Sequence, residues 1–187
     1  FTIINNITLV AETEKLHVSP NSKVKLLGEA TILDTPIEKG KARIEFLGHM
    51  QEIEVSSGVF TTTIDIPSDA KTGPHDISVF VVDEFGNLGS FTPRLIVDSS
   101  PKKLEVVISK KEFQPGDTIV AKPSVKDQTN ELIPSGIIVK IITPDNQEAL
   151  ADVVKSGDNF EFTLLNTAMP GTWKVKTSVL DLEETAT

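Results

Sequence analysis

Cysteine and tyrosine are absent from this chain, and tryptophan occurs once. Without cysteine there are no disulfides, no thiol catalysis and no zinc site built on thiolates. One tryptophan and no tyrosine leave little of the flat aromatic surface that a sugar-binding platform needs. A basic cluster is missing too: residues 1–98 carry 8 basic and 14 acidic side chains, and residues 99–187 carry 10 and 13. That balance argues against nucleic acid and anionic membrane surfaces as partners. No apolar run approaches the roughly 20 residues that span a bilayer as a helix. The three histidines, His17, His49 and His75, lie far apart and have no motif neighbours. No nucleophile elbow, phosphate-binding loop or His-Glu-x-x-His helix occurs. The expectation is a protein without an enzymatic site.

What is present is a repeat. Ala70-Lys71-Thr72-Gly73-Pro74-His75-Asp76-Ile77-Ser78-Val79 recurs, without a gap, as Ala168-Met169-Pro170-Gly171-Thr172-Trp173-Lys174-Val175-Lys176-Thr177, at an offset of 98 residues. Pro20-Asn21-Ser22-Lys23-Val24 is echoed by Pro115-Gly116-Asp117-Thr118-Ile119 at an offset of 95. Two copies of a module a little under 100 residues long predict two tandem domains of one fold, 1–98 and 99–187.

The hydrophobic period is 2. Val24, Leu26, Gly28, Ala30 and Ile32 fall on one face, as do Ala42, Ile44 and Phe46, and as do Phe60, Ile64 and Ile66. The second copy repeats this with Ile119, Ala121, Pro123 and Val125, then Ile137, Val139 and Ile141, then Phe160, Phe162 and Leu164. Gly, Pro, Asn and Asp punctuate these runs, which reads as short antiparallel strands joined by tight turns. No segment holds a 3.6-residue period over three turns. The chain is therefore expected to be all-β, as two tandem antiparallel sandwiches.

The copies differ at their ends. After Asp83 the first continues through Glu84-Phe85-Gly86-Asn87 into a run ending at Val97, whereas after Asp181 the second has only six residues. The second sandwich is therefore expected to lack its last strand. With the start at Phe1 rather than Met, this leads to the expectation of a piece of a larger protein. An open sheet edge would follow, to be filled by pairing between chains, with residues 1–10 as candidate donors. The joint Asp98-Ser99-Ser100-Pro101 is short and carries a proline, so limited hinge freedom is expected.

Three motifs carry a family resemblance. One is the Pro-Asn/Gly turn into a strand, at Pro20–Val24 and Pro115–Ile119. Another is Gly-x-aromatic-x-apolar, at Gly73–Val79 and Gly171–Thr177, the aromatic position being taken by His75 and Trp173. The third is Asp-x-x-Gly-Asn at Asp83–Asn87, followed by a strand ending in Val97-Asp98. The chain resembles immunoglobulin-like modules of prokaryotic surface proteins, and sandwich domains of the macroglobulin type. Such modules place Tyr at the aromatic position, where it ties a corner to the backbone. His75 and Trp173 each keep a ring and an N–H, so the same tie is expected of them, with Trp173 buried among core residues.

Calcium is the one cofactor the sequence suggests. Asp83, Glu84 and Asp98 lie near one end of the first module, and hard cations take several carboxylate oxygens. The plainer reading of Asp83–Asn87 is a hairpin turn. Gly28 and Pro123 occupy matching places, 95 residues apart, in the second strand of each module. Both suit a β-bulge. The single sequon, Asn6-Ile7-Thr8, is near chance for this length. The resemblance implies a non-catalytic structural or adhesive spacer from a larger cell-surface or secreted protein. Its partners would be other protein domains or cell-surface components. The alternative it implies is an accessory module of a secreted hydrolase or macroglobulin-like protein.

Overall fold

A computed structural model describes residues 6–149 and 153–187. The chain divides into two compact units, Phe1–Ser100 and Pro101–Thr187. Every regular element among the described residues is a strand.

Unit 1 holds β1 (Thr8–Thr13), β2 (His17–Val18), β3 (Lys23–Ile32), β4 (Thr35–Pro36), β5 (Lys39–Phe46), β6 (His49–Ser56), β7 (Val59–Asp65), β8 (Gly73–Asp76), β9 (Ser78–Asp83), β10 (Leu88–Phe91) and β11 (Arg94–Val97). Its main sheet runs β1-β3-β7-β6-β5-β9-β10, with β4 beside β3, and a small sheet runs β2-β11-β8. β6 and β7 share a single registered pair, Ser56↔Val59, so the sheet turns from one layer to the other at that hairpin. Strict alternation places Val24, Leu26 and Ala30 inside, against Ile44, Phe46, Val79 and Val81 from the other layer. Leu95 and Val97 of β11 close this core and are fully buried. The last strand of the module is split. β10 pairs with β9, and after Thr92-Pro93 the chain crosses to β8 and β2 as β11.

Unit 2 holds β12 (Lys103–Ile108), β13 (Thr118–Lys126), β14 (Ile138–Ile142), β15 (Val154–Ser156), β16 (Asn159–Thr163), β17 (Lys174–Val179) and β18 (Leu182–Ala186). Its two sheets run β12-β13-β16-β15 and β14-β17-β18. Ile119, Ala121, Ile141, Phe162, Leu164 and Val175 form its main core. Both units are all-β, antiparallel in their main sheets, and of the immunoglobulin-like sandwich kind.

Three expectations are corrected. First, the final residues of unit 2 do form a strand. β18 pairs with β17 from Val179↔Leu182 to Val175↔Ala186, as β10 pairs with β9. Among the described residues of unit 2, β2, β4 and β11 have no strand counterpart. Second, neither Gly28 nor Pro123 makes a bulge, because the registers run through both without a skipped residue. A Cβ at Gly28 would sit 2.0 Å from Cζ of Phe60, so the glycine leaves room for that ring. Ser109 N donates to Val120 O at 3.0 Å, and the alternation of the ladder then makes Val106↔Pro123 a pair without mutual bonds. The proline's missing N–H therefore faces away from β12, at a point where β13 has already parted from β16 beyond Ala121. Third, Ile7–Val10 is engaged inside its own unit. Thr8–Thr13 pairs with β3, and Ile7 N donates to Leu88 O at 2.8 Å. The donor candidate Phe1–Ile4 lies outside the described residues.

Candidate functional site

The acidic residues proposed for calcium sit in the β9–β10 turn and after β11. Asp83 is 8% exposed and its carboxylate is taken up locally. It accepts from Phe85 N at 2.9 Å and Asn87 N at 2.8 Å, and from Asn87 Nδ2 at 2.6 Å. Burial pushes this carboxyl up, but the hydrogen bonds from Asn87, Phe85 and Gly86 together outweigh it and hold the group below its ordinary range. Asp98 instead faces His17, whose Nδ1 is 2.9 Å from Oδ1. Among the described residues no three His, Asp or Glu side chains are arranged to hold a metal ion. Asp83, Glu84 and Asp98 are thus not brought together as one ligand set.

The Asp83 turn is one of three built alike. In each, residue i and residue i+4 are bonded through i N–H, residue i+3 donates to the carbonyl of i, and the side chain of i accepts from the turn. Asp127–Glu131 repeats the pattern, with Asp127 accepting from Thr129 N at 2.8 Å, Thr129 Oγ1 at 2.7 Å and Glu131 N at 3.1 Å. Thr143–Gln147 repeats it with a hydroxyl, Gln147 N donating to Thr143 Oγ1 at 3.1 Å. The fourth residue has positive φ in all three: Gly86 at 84°, Asn130 at 66° and Asn146 at 62°. Gly and Asn tolerate that region. The second and third turns were findable in the sequence as Asp/Thr-x-x-Asn followed by a polar residue.

The tied corner is present twice. His75 Nε2 lies 2.6 Å from the carbonyl of Lys71, and Trp173 Nε1 donates to the carbonyl of Met169 at 3.0 Å. Both bonds span four residues, and the two carbonyls are themselves 98 positions apart. The rings differ in their packing. His75 meets Phe46 edge-on at 6.1 Å, and Trp173 meets Phe162 at 6.2 Å and 40°. Neither ring is enclosed. Trp173 is half-buried, because one side of it faces a groove.

That groove has a volume of about 520 Å³ and is lined by Ile108, Phe113, Met169, Trp173, Val175 and Thr187 on its apolar and terminal sides, and by Lys110, Lys111, Glu112 and Lys174 at its rim. Unit 1 has its own open groove of about 540 Å³ elsewhere in the fold, between Ile44, Phe46, Met50 and Ile64. On the outer face of β9 and β10, Phe80, Val82 and Leu88 are exposed beside Lys41 and Arg43.

Surface ion pairs hold several carboxylates below their usual range. Arg94 Nε bonds Asp76 Oδ1 at 2.7 Å and is the main cause for Asp76. The backbone N–H of Gln114, then the ammonium of Lys110, does so for Asp117. Lys103 and Lys126 do so for Glu105. Pairs this exposed fix local register more than they stabilise the fold.

No protein-family model matches the chain, and no curated protein matches it. Among solved structures, it is similar to a part of a 1.5-MDa bacterial ice-binding adhesin, with 11% identity and a TM-score of 0.49 over 96% of this chain. It is also similar to the Yersinia pseudotuberculosis adhesin InvE, with 15% identity and a TM-score of 0.44 over 97% of this chain. A third likeness is to Salmonella alpha-2-macroglobulin, with 9% identity and a TM-score of 0.41 over 97% of this chain. The chain spans 60%, 57% and 16% of those three structures. What those proteins do is said of them alone.

Proposed function

We propose that this chain is a non-catalytic spacer from a larger cell-surface or secreted protein, contributing reach and contact area to an adhesive assembly. The observation that supports this reading is how the polar groups of the turns are spent. Asp83, Asp127 and Thr143 accept from the N–H groups of their own turns, and Asp117 accepts from Gln114 N at 2.8 Å. Side chains spent on their own turn backbone in this way are not free to meet a ligand. Here they stiffen the connections of a duplicated module. Among the described residues no helix is long and apolar enough to cross a membrane, and a spacer needs none.

A mechanical measurement tests the reading. Pulled between its termini, the chain should give two separate unfolding events. Each should release roughly 30 nm, from about 90 residues at about 3.5 Å each. One event of twice that length would show the two units failing as a single body and would sink the spacer reading. So would turnover of any ester, glycoside or peptide substrate that survives repurification.

A further inference from the structure

Unit 1 leaves one sheet edge without a strand partner, in the interior of its sequence. β6 follows the two-residue turn Leu47-Gly48, whose φ values of 48° and 79° are those of a tight hairpin. Phe46↔His49 is therefore a bonded pair, and the alternation carries on through Gln51, Ile53 and Val55. The N–H and C=O groups of Met50, Glu52 and Glu54 point the other way, toward β7. That strand does not meet them, because the two are registered only at Ser56↔Val59 and part from there. Between them opens the groove of about 540 Å³ lined by Ile44, Phe46, Met50 and Ile64. Its β7 side is partly closed by side chains. Gln51 Nε2 lies 3.5 Å from Thr63 O, and Gln51 Oε1 accepts from Thr62 Oγ1 at 3.2 Å. Among the described residues nothing does the same for the backbone of Met50, Glu52 and Glu54.

The fold does not impose this edge. In unit 2 the matching hairpin keeps three registered pairs, Val154↔Glu161, Lys155↔Phe160 and Ser156↔Asn159, so β15 stays with β16. In unit 1 the strand sides with β5 instead, in unbroken register from Lys39↔Ser56 to Phe46↔His49 and without a proline. All residues that line the groove fall within 21–68, so both of its walls are complete. A regular edge of this length is usually blunted. Here its outer side chains are Met50, Glu52 and Glu54, all exposed, and both charges are acidic. Behind them stand Arg43, opposite Glu52, and Lys41, opposite Glu54. The rows alternate in sign, and the next strand outward continues them with basic residues. Lys41 Nζ is 2.7 Å from Oε1 of Glu52, which leaves Oε2 for a second cation. On the inner side the groove floor is apolar, formed by Ile44, Phe46 and Ile64.

We propose that the β6 edge accepts one extended strand of another polypeptide, in which basic residues alternate with apolar ones. The backbone of Met50, Glu52 and Glu54 supplies the pairing. The basic side chains lie beside Glu52 and Glu54, and the apolar ones enter the groove. The acidic outer row rejects a second copy of the same edge, which would bring glutamates against glutamates. The proposal goes beyond the spacer reading and does not depend on it.

Hydrogen exchange at single amides, followed by nuclear magnetic resonance on the full 187-residue chain, reads the edge directly. Without peptide, the amides of Met50, Glu52 and Glu54 should exchange roughly tenfold or more faster than those of Gln51 and Ile53, which bond to β5. The synthetic peptide Ser-Val-Lys-Ile-Lys-Val-Ser should slow the first three selectively and saturably. The matched peptide Ser-Val-Glu-Ile-Glu-Val-Ser should bind about tenfold more weakly at low salt, the ratio shrinking as salt is added. Glu54→Lys, which leaves the Lys41–Glu52 pair in place, should remove most of that preference. Glu52→Lys with Glu54→Lys should reverse it, with an unchanged circular dichroism spectrum. Should the double variant fold poorly, the single one decides, and an undiminished preference there overturns the proposal. Equal protection of the two sets of amides without peptide would show the edge already covered and would overturn it. So would no saturable protection with either peptide, equal affinities, or a folded double variant that fails to reverse the order. Protection that grows with protein concentration alone would overturn it by making a second copy the occupant. Protection that disappears when residues 1–5 are removed would do so by making that segment the occupant.

Discussion

Replacing Gly28 by alanine should be among the more damaging small changes in unit 1, although glycine is the weaker strand residue. The new Cβ would lie 2.0, 2.4 and 2.6 Å from three carbons of the Phe60 ring. The ring is 5% exposed and sits in the closed core, so it has no free side to move into. Forcing extra volume into such a site costs about 1–3 kcal/mol. Restricting the unfolded chain returns about 0.4–1 kcal/mol. With the overlap this deep the net loss should be about 2 kcal/mol, or roughly 10 °C in melting temperature for a domain of this size. Because Trp173 belongs to unit 2, far-ultraviolet circular dichroism should show the lowered transition while tryptophan fluorescence does not. Phe60→Leu alone should cost about 1–1.5 kcal/mol, as a near volume-conserving swap. Joined to Gly28→Ala it should recover about 1–2 kcal/mol of the sum, since the two sites are in contact. Wild-type stability for Gly28→Ala, or strict additivity in the double variant, would refute the close-packing argument.

Asp83→Ala and Asp127→Ala should each cost their own unit about 2 kcal/mol, since each strands two or more N–H donors of a turn. Urea titration checks both, with Trp173 fluorescence isolating the second, and losses below about 0.5 kcal/mol would count against the turn argument. Acid should destabilise the protein in a defined direction. Asp83, Asp76, Asp117 and Glu105 are all held below their ordinary values, so their contribution is present above the unfolded carboxyl range near pH 4 and is lost as pH falls through the folded values. Melting temperatures should be flat from about pH 7 to 5 and fall below about 4. A rise on acidification would contradict the assignment. His75→Phe and Trp173→Phe each remove one N–H to a carbonyl, and should cost unit 1 and unit 2 similar amounts, about 0.5–1.5 kcal/mol.

The parts of this fold that showed in the sequence are those where one face of a strand is buried. Val24 to Ala30, Ala42 to Phe46 and Ile119 to Val125 alternate because the core selects every second residue. The ungapped repeat also carried a specific bond, since His75 and Trp173 reach carbonyls in the same register. β18 did not show. Leu182–Ala186 is mostly exposed, is held by backbone pairing to β17, and has no apolar alternation to reveal it. The reason for Gly28 lies 32 residues away, in the Phe60 ring, whose packing no local pattern records. The Asp127 and Thr143 turns carry Asn rather than Gly at the fourth residue, a weaker turn signal in sequence. Trp173 alternates with Val175 and Thr177, yet it is only half-buried, packing on the core with one side and lining a groove with the other.

The split last strand of unit 1 has a consequence for how that unit meets a load. β2 and β11 run parallel, so tension drawing β1 one way and the chain beyond Val97 the other slides the two strands along each other. Ile96 N to Leu16 O and Asp98 N to Val18 O would then be strained together rather than opened one after another. The parallel contact of Asn6 with Leu88 adds a second shear point in the same unit. Among the described residues of unit 2 every pairing is antiparallel, and β18 can peel from β17 bond by bond. Under such a pull unit 2 should therefore open at lower force than unit 1, a fuse beside a clamp.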